Sequence, residues 1–316
     1  MREALSFLLN TNQEDQALPE MGEGVPFSDA HFNGFQYKKG CVGYVDGGSA
    51  VLLEAPSFLL ERIRVVGVVL DQGKRVYSKK EEYEINIRLV DLNWVVSCSP
   101  NHAVSGLKIH IRDPRLREGQ HQVPVTKAGG LVRRLMELDF LARFTEETSA
   151  SVFVLDGSLE AGTLMEREYL KKLEDKPCVG LSKTSKSLTK NGEDVASSLL
   201  RKKEGVWWYH PIATGNEKED TAFIKLHEKS EYVFRLDFWK KASLAEIVPL
   251  LGGESQDPVF IGYPYGLVIA DQWARVTNEE KAFWQLQMKV EAGKHWNRIA
   301  ERIHSLDAHS ILDKIR

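Results

Sequence analysis

The chain is predicted to fold as an α/β protein, a mixed sheet flanked by helices. Short runs rich in β-branched residues crowd its first third, and from Gly130 onward apolar residues at helical spacing alternate with further short strands. With 42% hydrophobic residues among 316, the chain can bury a substantial core.

A polar, glycine-containing lead comes first. CVGYV (41–45), SAVLLEA (49–55), IRVVGVVL (63–70) and YEINIRLV (83–90) have the length and composition of strands and read as a meander in one sheet. In GLVRRLMELDFLARF (130–144), Leu131, Leu135, Leu138 and Ala142 mark one face of an amphipathic helix, which leads into the strand at 152–156. SLEAGTLMEREYLKKLED (158–175) reads as a helix with Ser158 as N-cap, and PCVGLSK (177–183) as a strand entering a basic, Ser-rich loop. The segment 185–205 reads as polar and exposed. GVWWYH (205–210), TAFIKLH (221–227) and EYVFRLDF (231–238) are three more predicted strands. Thr277 and Glu280 stand at capping-box spacing at the start of a helix over 276–290, and Trp296, Ile299, Ile303 and Leu306 continue a helical apolar stripe. Without a solenoid-period repeat or a proline-rich linker, the expectation is one elaborated domain over 1–316, with a core at about 40–280 and C-terminal helices over 276–316.

Net charge is −3 and the pI is near 6.3, so any nucleic-acid contact must come from a local basic patch. No apolar run approaches the roughly 20 residues that span a bilayer, and MREALSFLLN is too short and too polar for a signal peptide. A soluble cytoplasmic protein is expected. Cys41, Cys98 and Cys178 have no CxxC spacing and read as ordinary thiols. The nine histidines show neither HExxH nor HxH spacing, and His304 and His309 read as surface residues.

Two apolar runs end in Asp-Gly: VGYVDGGSA with Asp46, and VFVLDGSL with Asp156. A carboxylate leaving a buried strand is costly unless it is paired or binds a cation, although Asp-Gly is also an ordinary turn cap. On neighbouring strands the two would repel, and a divalent cation with oxygen ligands, Mg²⁺ or Mn²⁺, relieves that. Glu137 stands in the apolar stretch of the first helix, either facing the sheet or pairing with Arg133 at the surface. Asp271 follows the apolar run in GYPYGLVIADQWARV, on a predicted helix facing the core.

This order of carboxylates, strand, helix, strand and C-terminal helix, resembles that of the ribonuclease H-like nucleases. More closely, the chain resembles the NurA nuclease family over about 40–280, through VDGGS, RRLMELDFLARF, VLDGSL, VGLSKTS, AFIKLH followed by FRLDF, and GYPYGLVIADQWARV. The resemblance implies a ribonuclease H-like sheet with family-specific insertions. It makes Asp46 and Asp156 central metal ligands, Glu137 and Asp271 flanking ones, and Lys183 a phosphate-facing cation. Two Mn²⁺ or Mg²⁺ ions would then serve phosphodiester hydrolysis. It further implies a homodimeric nuclease acting on DNA ends with a HerA-type hexameric translocase, in end resection and repair or in defence. Two departures stand out: the first motif reads Asp-Gly-Gly-Ser rather than the tighter Asp-Gly-Ser, and Asp271 stands where a His would also be accepted in related proteins. Trp207, Trp208, Tyr263 and Tyr265 are candidates either to stack unpaired bases or to pack the core.

Two rival readings follow from the same residues. One is a catalytically inactive ribonuclease H-like adaptor that binds DNA or a HerA-type ring. The other is a phosphate-binding NTPase through GLSKTSKS, where the glycine a P-loop needs before its Lys is missing.

Overall fold

Eleven strands build one mixed sheet in the computed structural model, which describes residues 16–19, 23–117, 119–185, 187–214 and 218–304, with no side chain beyond residue 301. In chain order they are β1 Phe32–Gly34, β2 Cys41–Ala55, β3 Phe58–Asp71, β4 Lys74–Val90, β5 Asn93–Ser99 and β6 Lys108–His110. Then come β7 Val152–Asp156, β8 Cys178–Ser182, β9 Trp207–Tyr209, β10 Glu219–Lys225 and β11 Phe234–Trp239. Across the sheet the order is β1-β9-β10-β11-β8-β7-β2-β3-β4-β5-β6. The pairs β2–β7 and β7–β8 are parallel and the other neighbours antiparallel. Parallel neighbours need long crossovers, which here contain helices.

The helices are α1 Val125–Glu147, α2 Leu164–Lys171, α3 Val195–Lys202, α4 Leu244–Gly253, α5 Tyr265–Ala274, α6 Asn278–Ala292 and α7 Trp296–His304. α1 seals one face of the sheet, where Leu131, Leu135 and Leu138 pack with Val45, Ile63 and Leu155. Each such Leu contributes about 1.5–3 kcal/mol by leaving water. On the other face, Ile247 and Val248 of α4 and Leu267 and Ala270 of α5 pack with Tyr44, Val154 and Leu181. α3 adds Val195 and Leu199 to a smaller cluster with Trp207, Tyr209 and Phe223. Among the described residues no helix is long and apolar enough to cross a membrane.

Several elements differ from their sequence-based reading. The two strands expected at 41–45 and 49–55 are one, because β3 pairs with β2 straight through the Asp-Gly-Gly step: Asp46 faces Val66, Gly47 faces Val65 and Gly48 faces Arg64. Asp46 therefore sits mid-strand rather than at a strand exit. α1 starts at Val125, five residues before the expected Gly130, and α2 starts at Leu164. Thr163, not Ser158, caps α2, accepting a hydrogen bond from the Glu166 amide; the Ser158 hydroxyl instead closes a local turn with the Glu160 amide. The segment 185–205 is not wholly exposed, since Val195 and Leu199 of α3 are fully buried. The capping box at Thr277 and Glu280 is present with both its hydrogen bonds. Leu306 and His309 lie outside the described residues, as do the side chains of Ile303 and His304. All three cysteines are free thiols.

Candidate active site

Strand register brings the two Asp-Gly motifs together. The parallel ladder between β2 and β7 runs from Val42 opposite Val152 to Val45 opposite Leu155, so the next step sets Asp46 beside Asp156. Side chains alternate across a strand, and Tyr44, Val154 and Leu181 belong to the core under α5. Asp46 and Asp156 follow Tyr44 and Val154 by two residues and share that face, and Lys183, just past the end of β8, reaches it through Asp156. Lys183 Nζ donates to Asp156 Oδ2 at 2.7 Å and lies 5.2 Å from the centre of the Tyr263 ring.

Glu137 arrives from the opposite face, on α1, and the residue is 5% exposed; of its two sequence readings, the buried one holds. Gly47 makes this approach possible, because a Cβ there would lie 2.4 Å from Glu137 Oε1. Its neighbour Gly48 admits α5: a Cβ would stand 2.2 Å from the Ala274 carbonyl oxygen. The Gly-Gly step that departs from the family pattern is thus a pair of close approaches on the two faces of one strand. Arg133 Nη1 donates to the Gly47 carbonyl at 2.6 Å and stands 3.5 Å from Glu137 Oε1.

Asp271 does not face the core. It lies at the partly exposed rim of a cleft of about 180 Å³ with Asp46, Gly47, Ser49, Arg133 and Arg275, and Arg275 pairs with it at 2.9 Å. Arg134 and Arg275 were not singled out in the sequence, although i−3 from Glu137 and i+4 from Asp271 are pairing positions on a helix. Of the four aromatic candidates, Trp207 is buried in the α3 cluster and Trp208 packs against the core. Tyr265 is exposed, whereas Tyr263 buries its hydroxyl beside the carboxylates with no hydrogen-bond partner among the described residues.

Burial, with Asp156 and Glu137 nearby, raises the Asp46 pKa to about 7, against the Gly47 amide and Lys183. Burial also pushes Glu137 up, against Arg133 and Arg134. Burial and then Asp156, Asp46 and Asp271 raise the Tyr263 phenol. Among the described residues no three His, Cys, Asp or Glu side chains gather into a ready metal cluster. The donors are nevertheless all oxygen, and burial together with the neighbouring acids disfavours the charge on Asp46. That chemistry fits a hard divalent cation of the kind the fold family implies, Mn²⁺ or Mg²⁺.

The raised Asp46 pKa carries a pH dependence whose sign is the reverse of a salt-bridged aspartate's. The folded protein keeps this proton between pH 3.8, its ordinary value, and about 7. Stability from Asp46 is therefore full below that window and lost as pH rises through it. In EDTA, Asp46→Asn is expected to gain melting temperature relative to the native protein between pH 4 and 8; parallel curves would refute the assignment.

A family model described as the NurA domain matches residues 45–276. No curated protein matches the chain. Among solved structures, the chain is similar to the NurA nuclease from Sulfolobus solfataricus, with TM-score 0.57 and 13% identity over 92% of each chain. A second NurA structure aligns at TM-score 0.51 and 8% identity, covering 82% of this chain and 90% of the other. Endonuclease V from Ciona intestinalis, bound to an inosine-containing DNA, aligns at TM-score 0.41 and 16% identity over 76% and 89%. The fold is that of the ribonuclease H-like nucleases, and with a NurA domain spanning most of its length the chain belongs to the NurA family.

Proposed function

We propose that this chain is a divalent-metal-dependent deoxyribonuclease that hydrolyses phosphodiester bonds at DNA ends or in single strands. The observation that carries this reading is the register of Asp46 beside Asp156, with Lys183 held against the pair. Family membership and the NurA nuclease of similar fold support it.

Asp46 and Asp156 would hold the metal, with Glu137 reaching in past Gly47 and Asp271 closing from the cleft. When bound, Mn²⁺ or Mg²⁺ supplies an activated water and a stabilised leaving oxygen, most effectively as a pair. The remaining work falls to this chain's own groups. Lys183 offsets charge on the phosphate under attack. Arg133 and Arg275 line the cleft and would meet the neighbouring phosphates.

Lys183→Ala is expected to slow cleavage by about 10² to 10³-fold, the usual loss for one well-placed electrostatic contact, with a smaller effect on DNA affinity. Loss of affinity at unchanged kcat would make it a binding residue only.

We further propose a homodimer working with a HerA-type hexameric translocase. The net charge of −3 gives little general attraction for duplex phosphates. A ring that delivers DNA would raise its effective concentration at the site. The test is end-labelled linear DNA incubated with the protein and Mn²⁺, Mg²⁺ or EDTA, alone and with a HerA-type ATPase. Expected are slow, EDTA-sensitive trimming by the protein alone and ATP-dependent processive degradation with the partner. DNA binding without metal-dependent cleavage would favour an adaptor, and processive degradation of kilobase duplexes without the ATPase would refute the partnership.

A further inference from the structure

Asp156 is followed by a turn, residues 157–159, on which two polar side chains from different elements close. Gly157 has φ +113°, in the region that favours glycine, and its amide donates to the Leu181 carbonyl at 2.9 Å. From α1, the Arg134 guanidinium donates to the Ser158 carbonyl and stands 3.9 Å from Glu137 Oε2, with its side chain 17% exposed. From β11, Asp237 Oδ2 accepts from the Leu159 amide at 3.1 Å. Asp237 is 2% exposed and is held in turn by Thr221 Oγ1 at 3.0 Å and Arg235 Nε at 2.8 Å. Gly180 floors the turn, since a Cβ there would lie 2.5 Å from the Gly157 carbonyl oxygen.

Buried charged groups are a poor source of net stability but an effective way to impose one geometry. Every contact here bears on the backbone just after Asp156, and the same guanidinium also faces Glu137. Resting on the nuclease reading above, we propose that Arg134 and Asp237 are positioning residues, a clamp that sets Asp156 at a fixed distance from Glu137 for metal binding. This gives the Asp of FRLDF a role that the site carboxylates leave unassigned.

The experiment compares Arg134→Met, Arg134→Lys and Asp237→Asn with Arg143→Met. Arg143 also lies on α1 and pairs with Glu81 and Asp139, but does not touch the turn. Three quantities are measured: Mn²⁺ affinity by calorimetric titration without DNA, kcat and KM for cleavage, and amide exchange at Gly157 and Leu159. Arg134→Met and Asp237→Asn are expected to weaken Mn²⁺ about 10- to 100-fold, as loss of groups that orient metal ligands does, and to lower kcat at nearly constant KM. Arg134→Lys should recover part of both, and Arg143→Met should lower the melting temperature with Mn²⁺ affinity unchanged. Native Mn²⁺ affinity and kcat in Arg134→Met, or equal weakening in Arg143→Met, would overturn the clamp. If the native protein neither binds Mn²⁺ nor cuts DNA, the nuclease reading and the catalytic role of the clamp fail together. The clamp as a structural device is then decided by exchange alone: protection lost at the turn only in the Arg134 and Asp237 variants supports it, and unchanged protection refutes it.

Discussion

Asp46→Asn and Asp156→Asn are each expected to reduce cleavage by at least about 10³-fold, the top of the range for removing one preorganised electrostatic group. Each exchange preserves side-chain volume and removes one negative charge from the pair, so the packing around β2 and β7 is untouched. For Asp46 the expectation is sharper. The residue is 8% exposed, and burial first, then Asp156 and Glu137, disfavours its charge, so an amide removes a cost that the metal-free fold bears. Asp46→Asn should therefore melt no lower than the native protein in EDTA near pH 8 while being inactive. It should also lose the rise in melting temperature that Mn²⁺ gives a protein whose native state binds the ion. Circular dichroism melts with and without Mn²⁺, beside cleavage of end-labelled DNA, measure both. An Asp46→Asn protein that cleaves normally, or that gains as much from Mn²⁺ as the native one, would remove Asp46 from the site.

Gly48→Ala should cost markedly more stability than the same methyl added one residue earlier, at Gly47. The new Cβ would meet backbone, the Ala274 carbonyl oxygen at 2.2 Å and carbon at 2.7 Å, and no rotamer change relieves a clash with backbone. α5 must move away from β2, at a cost of about 1–3 kcal/mol, the usual price of overpacking. Asp271 and Arg275 move with it, so cleavage should fall too. Gly47→Ala meets the Glu137 side chain instead, at 2.4 Å from Oε1, and that side chain can rotate away. It should retain more stability than Gly48→Ala while losing activity, because the displaced group is a carboxylate of the site. Denaturant unfolding midpoints for the two variants test this order. If Gly48→Ala is as stable as the native protein, α5 does not lie against β2 as described.

Much of this molecule was legible in its sequence because the relevant chemistry is local. The capping box at Thr277 and Glu280 and the apolar stripe of α1 are short-range patterns that the fold keeps. The motifs around Asp46 and Asp156 carry the NurA family in their order along the chain, and the family model spans the same region. Spacing on one helix likewise placed Glu137 within reach of Arg133.

What the tertiary structure alone decided are relations between residues far apart in the chain. Asp-Gly-Gly reads locally as a turn, yet β3 pairs through it and makes it the middle of a strand, since a continuous ladder of backbone hydrogen bonds outweighs the turn preference of two glycines. The need for both glycines came from Glu137 on one face and Ala274 on the other, 90 and 226 residues downstream of the glycines they touch. Asp237 and Arg134 looked like ordinary charged residues until their elements met around the turn after Asp156. Residue types and short spacings specified which groups the site contains. Strand register and helix docking, set by burial and hydrogen bonding summed over whole elements, determined which of those groups face one another.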